Sequence, residues 1–314
     1  MVLVTDTYQS RVDNETAIVL RQDPIVYSDP RAEVPHGLTH HQLKNYQKNG
    51  FILLKGLFSE EEAALFLKEA RNMTADPKIR SRDEAIAEPG SDEVRSVFMV
   101  HRLNELYRQV VADVRVVNIA RQILGSDVYI HQSRVNLKSG FFGKEFYWHS
   151  DFETWHVEDG MPRMRAVSCV VLLTENNEFN GPLLLMPGSH TQYISCVGET
   201  PDDHYKQSLK KQEYGVADPA ALAFLAERGG IQSMKGPAGS VVFFDCNAMH
   251  GSNSNISPYP RANLFFVYNS VENTLEAPRG GLKPRPEFIA TREDFSPVTP
   301  LEPAYSRVRS AIRL

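Results

Sequence analysis

The chain has 314 residues, 42% of them hydrophobic and 23% charged, with a formal net charge of −5. Acids and bases alternate along it without a long basic block, which argues against a nucleic-acid partner. Three cysteines, Cys169, Cys196 and Cys246, exclude a disulfide framework and fit a reducing cytoplasm. No secretory leader is read at the start, and the longest largely apolar run, Val167–Leu173, is too short to span a bilayer.

In chain order, residues 1–37 carry Pro24, Pro30 and Pro35 with little periodicity and predict an irregular arm. Leu38–Asn49 has helical spacing and stops at Gly50, a good residue for a left-handed cap. FILLKGLF reads as a short strand and turn. Ser59 with Glu62 forms a capping box that opens a helix reaching about Asn72. Residues 74–96, charged and interrupted by Pro77, Pro89 and Gly90, predict a mobile loop. Val111–Leu124 predicts one helix ending at Gly125.

From about residue 127 the texture changes. VYIHQSRVNLK, EFYWHSDFETW, RAVSCVVLLT, GPLLLMPGSH, GSVVFFD and RANLFFVYNSV are β-branched and aromatic runs separated by turn residues, the pattern of a sandwich or barrel. Helical inserts are expected near 203–213 and 218–228, and a Pro- and Arg-rich tail from 278 packs on the surface.

The chemistry concentrates on three of these runs. In a strand, residues two apart share a face, so His149 and Asp151 are expected to project together, along with Tyr147 and Glu153. His250 ends the run GSVVFFDCNAMH before a turn and supplies a third ligand. Two imidazoles and one carboxylate compose the facial triad of non-haem Fe(II) oxygenases, which leaves coordination sites open. An H-x-D pair alone is a weak signal. Arg261, eleven residues after His250, strengthens it: a guanidinium beside the metal grips a distal carboxylate in bidentate fashion, as 2-oxoglutarate requires. The competing reading is a surface ion pair at a strand start. In HQSRVNLK, Gln132, Arg134, Asn136 and Lys138 share one face, either turned to water or lining a cavity. His131 should point away from Gln132. His190 reads as structural, the role of His156 stays open, and His36, His40, His41, His101 and His204 lie outside the core strands.

The combination HSD…H…R with GPLLLMPGSH between resembles the phytanoyl-CoA dioxygenase-like family of Fe(II)/2-oxoglutarate oxygenases. The longer stretches FYWHSDFETWHVEDGMPRMRAVSCVVLLTENNEFNGPLLLMPGSH and FDCNAMHGSNSNISPYPRANLFFVYNSVEN are similar to the ectoine hydroxylase branch, with a resemblance that runs from about residue 20 onward. That resemblance implies an α+β fold: a double-stranded β-helix (a cupin-like jelly roll) core over 127–272, an irregular arm and helical front over 1–126, inserted helices, and a C-terminal tail over 273–314 packing on the core, all one domain across 1–314. It implies that His149, Asp151 and His250 hold Fe(II). Lys138 and Arg261, with Asn136 and Ser252, would engage 2-oxoglutarate. Gln132, Trp155, Phe244, Asn263 and Phe265 would form an ectoine pocket. Ectoine is a small ring bearing a delocalised amidinium and a carboxylate. An indole face suits the cation, the two Phe rings would wall the ring, and neutral amides suit a ligand that already carries both charges. Read without the resemblance, Trp155 and the two Phe residues are core packing. The family further implies hydroxylation with O₂ as co-substrate, an osmoprotectant role and a homodimer.

Four rivals follow from the same residues. A family hydroxylase of another small zwitterion would share the whole centre. A halogenase would lack the carboxylate that Asp151 provides. A non-redox cupin-like isomerase or metal-storage module would not need Arg261. A silent structural protein would not need an intact triad. Residues 191–230 are expected to form a lid.

Overall fold

The computed structural model describes residues 6–12, 15–88, 92–201, 205–208, 215–303 and 305. Its strands run, in chain order, β1 Ile18–Leu20, β2 Phe51–Leu54, β3 Ala85–Ala87, β4 Val94–Phe98, β5 Val128–Lys138, β6 Phe146–His149, β7 Ala166–Leu172, β8 Leu183–Leu185, β9 Gln192–Ile194, β10 Gln232–Ser233, β11 Val241–Asp245, β12 His250–Ser252 and β13 Arg261–Ser270. A seven-stranded sheet has the order β2-β11-β7-β13-β5-β4-β3, and a four-stranded sheet the order β10-β8-β12-β6. Every pairing is antiparallel, and the pair of sheets forms the jelly roll.

The period of two in the sequence sorts the side chains of the large sheet between its faces. Val167, Cys169, Val171, Val241, Phe243, Leu264 and Phe266 join the cluster that includes Phe66, Tyr107, Val117 and Ile123 of the helical front. Their alternates Val170, Leu172, Val242 and Phe244 pack with Leu183 and Leu185 of the small sheet. RAVSCVVLLT reads as nearly continuous apolar sequence because β7 is covered on both faces. Each fully buried Val, Leu or Phe contributes roughly 1.5–3 kcal/mol. The buried hydroxyls of Tyr107 and Tyr268 donate to the Phe66 and Val111 carbonyls at 2.8 and 2.7 Å, so neither costs an unmade hydrogen bond.

The helical front follows its caps. His40–Asn49 begins at Thr39 and Glu60–Ala75 at Ser59, each with a reciprocal capping box, and the first ends at Gly50 with φ 81°. A Cβ at Gly50 would lie 2.4 Å from His190 Nδ1. Gly50→Ala therefore combines a left-handed Ala with a steric collision. We expect a loss of about 1–3 kcal/mol, read as a lower urea midpoint with an unchanged slope; an unchanged midpoint would refute this account of the turn.

Several expectations are corrected. Residues 74–96 do not form one loop: Pro77–Arg80 is a short helix, and β3 and β4 extend the large sheet. The polar look of that stretch reflects an edge position. The helix expected over Val111–Leu124 is two, Glu105–Ala112 and Val114–Leu124. Asp113 leaves helical geometry at ψ 126° and caps the second through the Arg115 amide. The arm contains β1, paired with β9. The tail is not superficial: Ile289 and Ala290 are fully buried, and the Thr291, Val298 and Leu301 amides bond the His131, Val128 and Ala112 carbonyls. Of the two inserts, Pro219–Gly229 is a helix and Tyr205–Ser208 a single turn; His204 and residues 209–214 lie outside the described residues. Within the segment expected as a lid, which lies partly outside the described residues, β9 pairs with β1 and Val216 bridges to His149; neither contact tests that expectation. Among the described residues no helix is long and apolar enough to cross a membrane.

Candidate metal centre

Antiparallel pairing of β6 with β12 sets His149 directly opposite His250, with ring centroids 4.2 Å apart. Each ring is oriented from behind. His149 Nδ1 lies 2.7 Å from the Tyr147 carbonyl and His250 Nδ1 3.0 Å from the Ala248 carbonyl. A carbonyl only accepts, so Nδ1 carries the proton in both rings and Nε2 presents its lone pair. This is the outer support that metal-bound histidines use. Burial, followed by the neighbouring His250, pushes the His149 pKa down to about 4, so the ring is neutral and ready to ligate at neutral pH.

Asp151 arrives by a different route from the one expected. β6 stops at His149, Ser150 makes the turn, and Asp151 is the first residue of the helix Asp151–Asp159. The helix start is knitted to the turn before His250. The Phe152 amide donates to the Cys246 carbonyl at 2.8 Å, and Ser150 Oγ to Asn247 Oδ1 at 3.0 Å. The Asp151 carboxylate then straddles the pair, Oδ1 lying 3.8 Å from His149 Nε2 and Oδ2 3.8 Å from His250 Nε2. One ligand atom from each of the three residues lies within 4.8 Å of the others. The shared face expected for Tyr147 and Glu153 is not formed, because the strand ends too early: Tyr147 is 48% exposed and Glu153 is buried in an ion pair with Arg11.

Beside this triad a small cavity is lined by Arg134, Asn136, Phe146, His149, Leu183, His250, Ser252, Arg261 and Phe265, among others. The register of β13 on β5 builds its cationic wall, pairing Arg261 with Lys138, Asn263 with Asn136 and Phe265 with Arg134. Arg261 is 3% exposed. Its Nη2 donates to Asn136 Oδ1 at 2.8 Å and its Nη1 to the Gly181 carbonyl at 2.5 Å, and Nε has no partner. Lys138 Nζ donates to Ser252 Oγ at 2.9 Å and to the Asn253 carbonyl at 2.5 Å. Its stem runs between Gly143 and Gly181, where any Cβ would approach it within 3.2 Å. Burial, then Arg261 and Arg95, push the Lys138 pKa down to about 6; burial, then Arg95 and Arg134, push Arg261 down to about 9. Among the described residues, neither Lys138, Arg134 nor Arg261 has a carboxylate at ion-pairing distance. A buried cation without counter-charge is costly, which is why Lys138 is held neutral in the ligand-free protein and why this wall is built to receive an anion.

The donor set fits ferrous iron: two neutral imidazoles, one carboxylate and no thiolate. Cys246 is nearby in sequence, but burial raises its thiol pKa far above neutrality.

Six of the twelve residues singled out from sequence line this cavity: Asn136, His149, His250, Ser252, Arg261 and Phe265. Lys138 touches it through Ser252, and Asp151 completes the triad. The Phe244 ring lies 4.9 Å from that of His250. Asn263 is fully buried with both amide atoms unpartnered. Gln132 and Trp155 are set apart from the lining. Gln132 donates to the Ile289 carbonyl at 2.8 Å and accepts from Arg134 at 3.1 Å. Trp155, one turn beyond Asp151, packs among Tyr8, Met164 and Val267. His131 sits where the register of β5 on β13 shifts, and its ring meets Trp155 at 5.0 Å instead of lying remote from the substrate candidates. His156 bonds Asp6 and the Met161 carbonyl, and His190 the Gln47 carbonyl. Arg134 was missed as a site residue although it shares the polar face of β5. It lies over the Phe265 ring at 4.8 Å and gives the cavity a third cation.

Comparison with known proteins agrees with this geometry. The profile of the phytanoyl-CoA dioxygenase (PhyH) family matches residues 46–263. An ectoine dioxygenase of Bordetella bronchiseptica is 65% identical, the match covering 95% of this chain and 96% of the relative. A crystal structure of EctD from S. alaskensis with 2-oxoglutarate and 5-hydroxyectoine superposes with a TM-score of 0.86 at 46% identity, covering 94% of this chain and 98% of that one. The same enzyme with bound Fe gives a TM-score of 0.84 at 44% identity over the same shares.

Proposed function

Because the chain belongs to the phytanoyl-CoA dioxygenase family, we propose that its His–Asp–His centre serves an Fe(II)- and 2-oxoglutarate-dependent dioxygenase that hydroxylates ectoine to 5-hydroxyectoine. The observation that carries this reading is the convergence of His149, Asp151 and His250 beside a wall of unpaired buried cations.

Iron bound there, with 2-oxoglutarate and O₂, supplies insertion of one oxygen atom into a C–H bond, coupled to decarboxylation to succinate and CO₂. The protein does the rest. His149, Asp151 and His250 hold the metal on one side and leave the cavity side free. Arg261, Lys138, Asn136 and Ser252 take the distal carboxylate of 2-oxoglutarate; an arriving anion returns Lys138 to its charged form and supplies the missing counter-charge. Arg134 is placed to meet a second carboxylate, that of ectoine. Phe244 and Phe265 wall the ring and Asn263, whose amide atoms lack partners, offers neutral hydrogen bonds; Gln132 and Trp155, outside the cavity lining, complete the pocket only around bound ectoine, with the indole taking the amidinium. These groups orient the C–H bond and exclude water. We read the chain over 1–314 as a single oxygenase domain acting in the cytoplasm as a homodimer, with an osmoprotectant product.

The test is anaerobic reconstitution with Fe(II) and 2-oxoglutarate, then O₂ with and without ectoine and with a panel of other small zwitterions. Ectoine should gain one oxygen atom by mass, with one succinate per product. Preference for a different zwitterion would change the substrate and keep the chemistry; succinate yield indifferent to every candidate would remove both.

A further inference from the structure

The arm before β2 carries no catalytic motif, yet one of its side chains reaches the helix that presents Asp151. Arg11 stands in the left-handed backbone region at φ 59°, a conformation that a non-glycine residue keeps only where its surroundings over-determine it. Its guanidinium grips Glu153 with a fork, Nε to Oε1 at 2.9 Å and Nη2 to Oε2 at 2.7 Å. Nη1 spans to Glu158 at 2.7 Å and to Thr200 Oγ1 at 2.8 Å. Ser10 Oγ donates to the same Glu153 oxygen at 2.5 Å and accepts from the Cys196 amide at 2.8 Å. A single fork from the arm therefore holds the first and second turns of the helix Asp151–Asp159.

Two further observations give this contact a role beyond burial. The helix has no side-chain cap at its N-terminus, the end that carries Asp151, since the Ser150 side chain makes no capping bond. Its rotation and translation therefore depend on outside contacts, and Glu153 lies midway between Asp151 and Trp155 in sequence. The ion pair also sits against the segment that bridges the metal strand. A Cβ at Gly215 would lie 2.6 Å from Arg11 Nη2 and 2.7 Å from Glu153 Oε2, and the next residue, Val216, bridges to His149. Arm, ligand-bearing helix and the backbone beside His149 meet at one guanidinium.

We propose that Arg11 is a positioning residue of the oxygenase centre: through Glu153 it sets the Asp151 carboxylate against His149 and His250 and fixes the Trp155 ring for substrate. The second half rests on the functional reading above; the first does not. Three full-length variants test it, Arg11→Gln, Arg11→Lys and Ser10→Ala, with anaerobic Fe(II) affinity and succinate formed per hydroxylated product as readouts. Arg11→Gln should bind Fe(II) more weakly by up to roughly 10-fold, the lower end of what losing a ligand's own outer partner costs, because Arg11 acts on Asp151 only through Glu153. It should also release more than one succinate per product. Arg11→Lys should fall between it and wild type, because an ammonium keeps the charge but not the fork. Ser10→Ala should move both readouts less, in the same direction. The coupling ratio is independent of how much protein is folded. If Arg11→Gln does not fold, the two milder variants decide. Folded variants with wild-type Fe(II) affinity and one succinate per product, whatever their melting temperature, would overturn the proposal. Should the wild type show no ectoine-dependent succinate, the substrate reading fails, while the Fe(II) comparison still judges Arg11.

Discussion

Asp151→Ala is expected to lose Fe(II) retention and turnover together while the fold stays standing. The carboxylate is the only anionic member of the triad, placed 3.8 Å from each imidazole Nε2. Without it two neutral rings remain to hold a divalent cation in a partly desolvated cavity. Losing an outer partner of a ligand already costs about 10–100-fold in metal affinity or activity, so losing the ligand itself should exceed that range. The fold has little to lose. Asp151 opens a helix, where an acidic side chain in the first turn contributes only about 0.3–1 kcal/mol. Among the described residues its one side-chain hydrogen-bond donor is Ser168 Oγ, at a long 3.5 Å. The helix keeps its Phe152 amide bond to Cys246 and its Arg11 clamp. Anaerobic Fe(II) titration and product mass measure the loss, and thermal unfolding without metal supplies the control. Wild-type turnover in this variant would remove the triad; a collapsed melting transition would make Asp151 structural first.

The contrast between Asp151 and its neighbours shows what could be read from the chain. Where a strand runs unbroken the period of two places side chains correctly, as for Asn136 and Lys138 on β5 against Asn263 and Arg261 on β13. The capping boxes at Thr39 and Ser59 and the stop at Gly50 are local chemistry and equally legible. FYWHSDFETW was not. Its aromatic residues favour a strand, and the turn into a helix at Ser150 is made by a backbone bond to Cys246, 94 positions after Phe152. The hairpin of β3 and β4 was hidden because charged residues suit a sheet edge as well as a loop. Arg134 was placed on the polar face but given no site role, since such a face looks the same whether it meets water or a cavity; only the facing sheet decides. Arg11 pairs with Glu153 across 142 positions, and no pattern within one chain announces such a contact.

Replacing Arg261 should separate the co-substrate from the substrate. In Arg261→Ala, the 2-oxoglutarate requirement is expected to rise far more than that for ectoine. A charge-assisted hydrogen bond contributes about 1.5–3 kcal/mol, or roughly 10–150-fold in apparent affinity. The effect on stability is smaller because two terms oppose. Removal leaves Asn136 Oδ1 and the Gly181 carbonyl without their donor, costing about 1–3 kcal/mol for each buried group left unmade. It also takes out a guanidinium whose pKa burial and the neighbouring Arg95 and Arg134 depress to about 9, a group that the ligand-free protein holds at a loss. The free variant should therefore unfold close to the wild-type temperature, and the stabilisation that 2-oxoglutarate gives the wild type should disappear. Arg261→Lys should recover only part, because one ammonium cannot reproduce the two-pronged contact. Steady-state titrations of each ligand at saturating levels of the other, with thermal shifts in 2-oxoglutarate alone, make the measurement. Equal losses for both ligands would move the co-substrate away from Arg261, onto Lys138 and Arg134 or out of the cavity altogether.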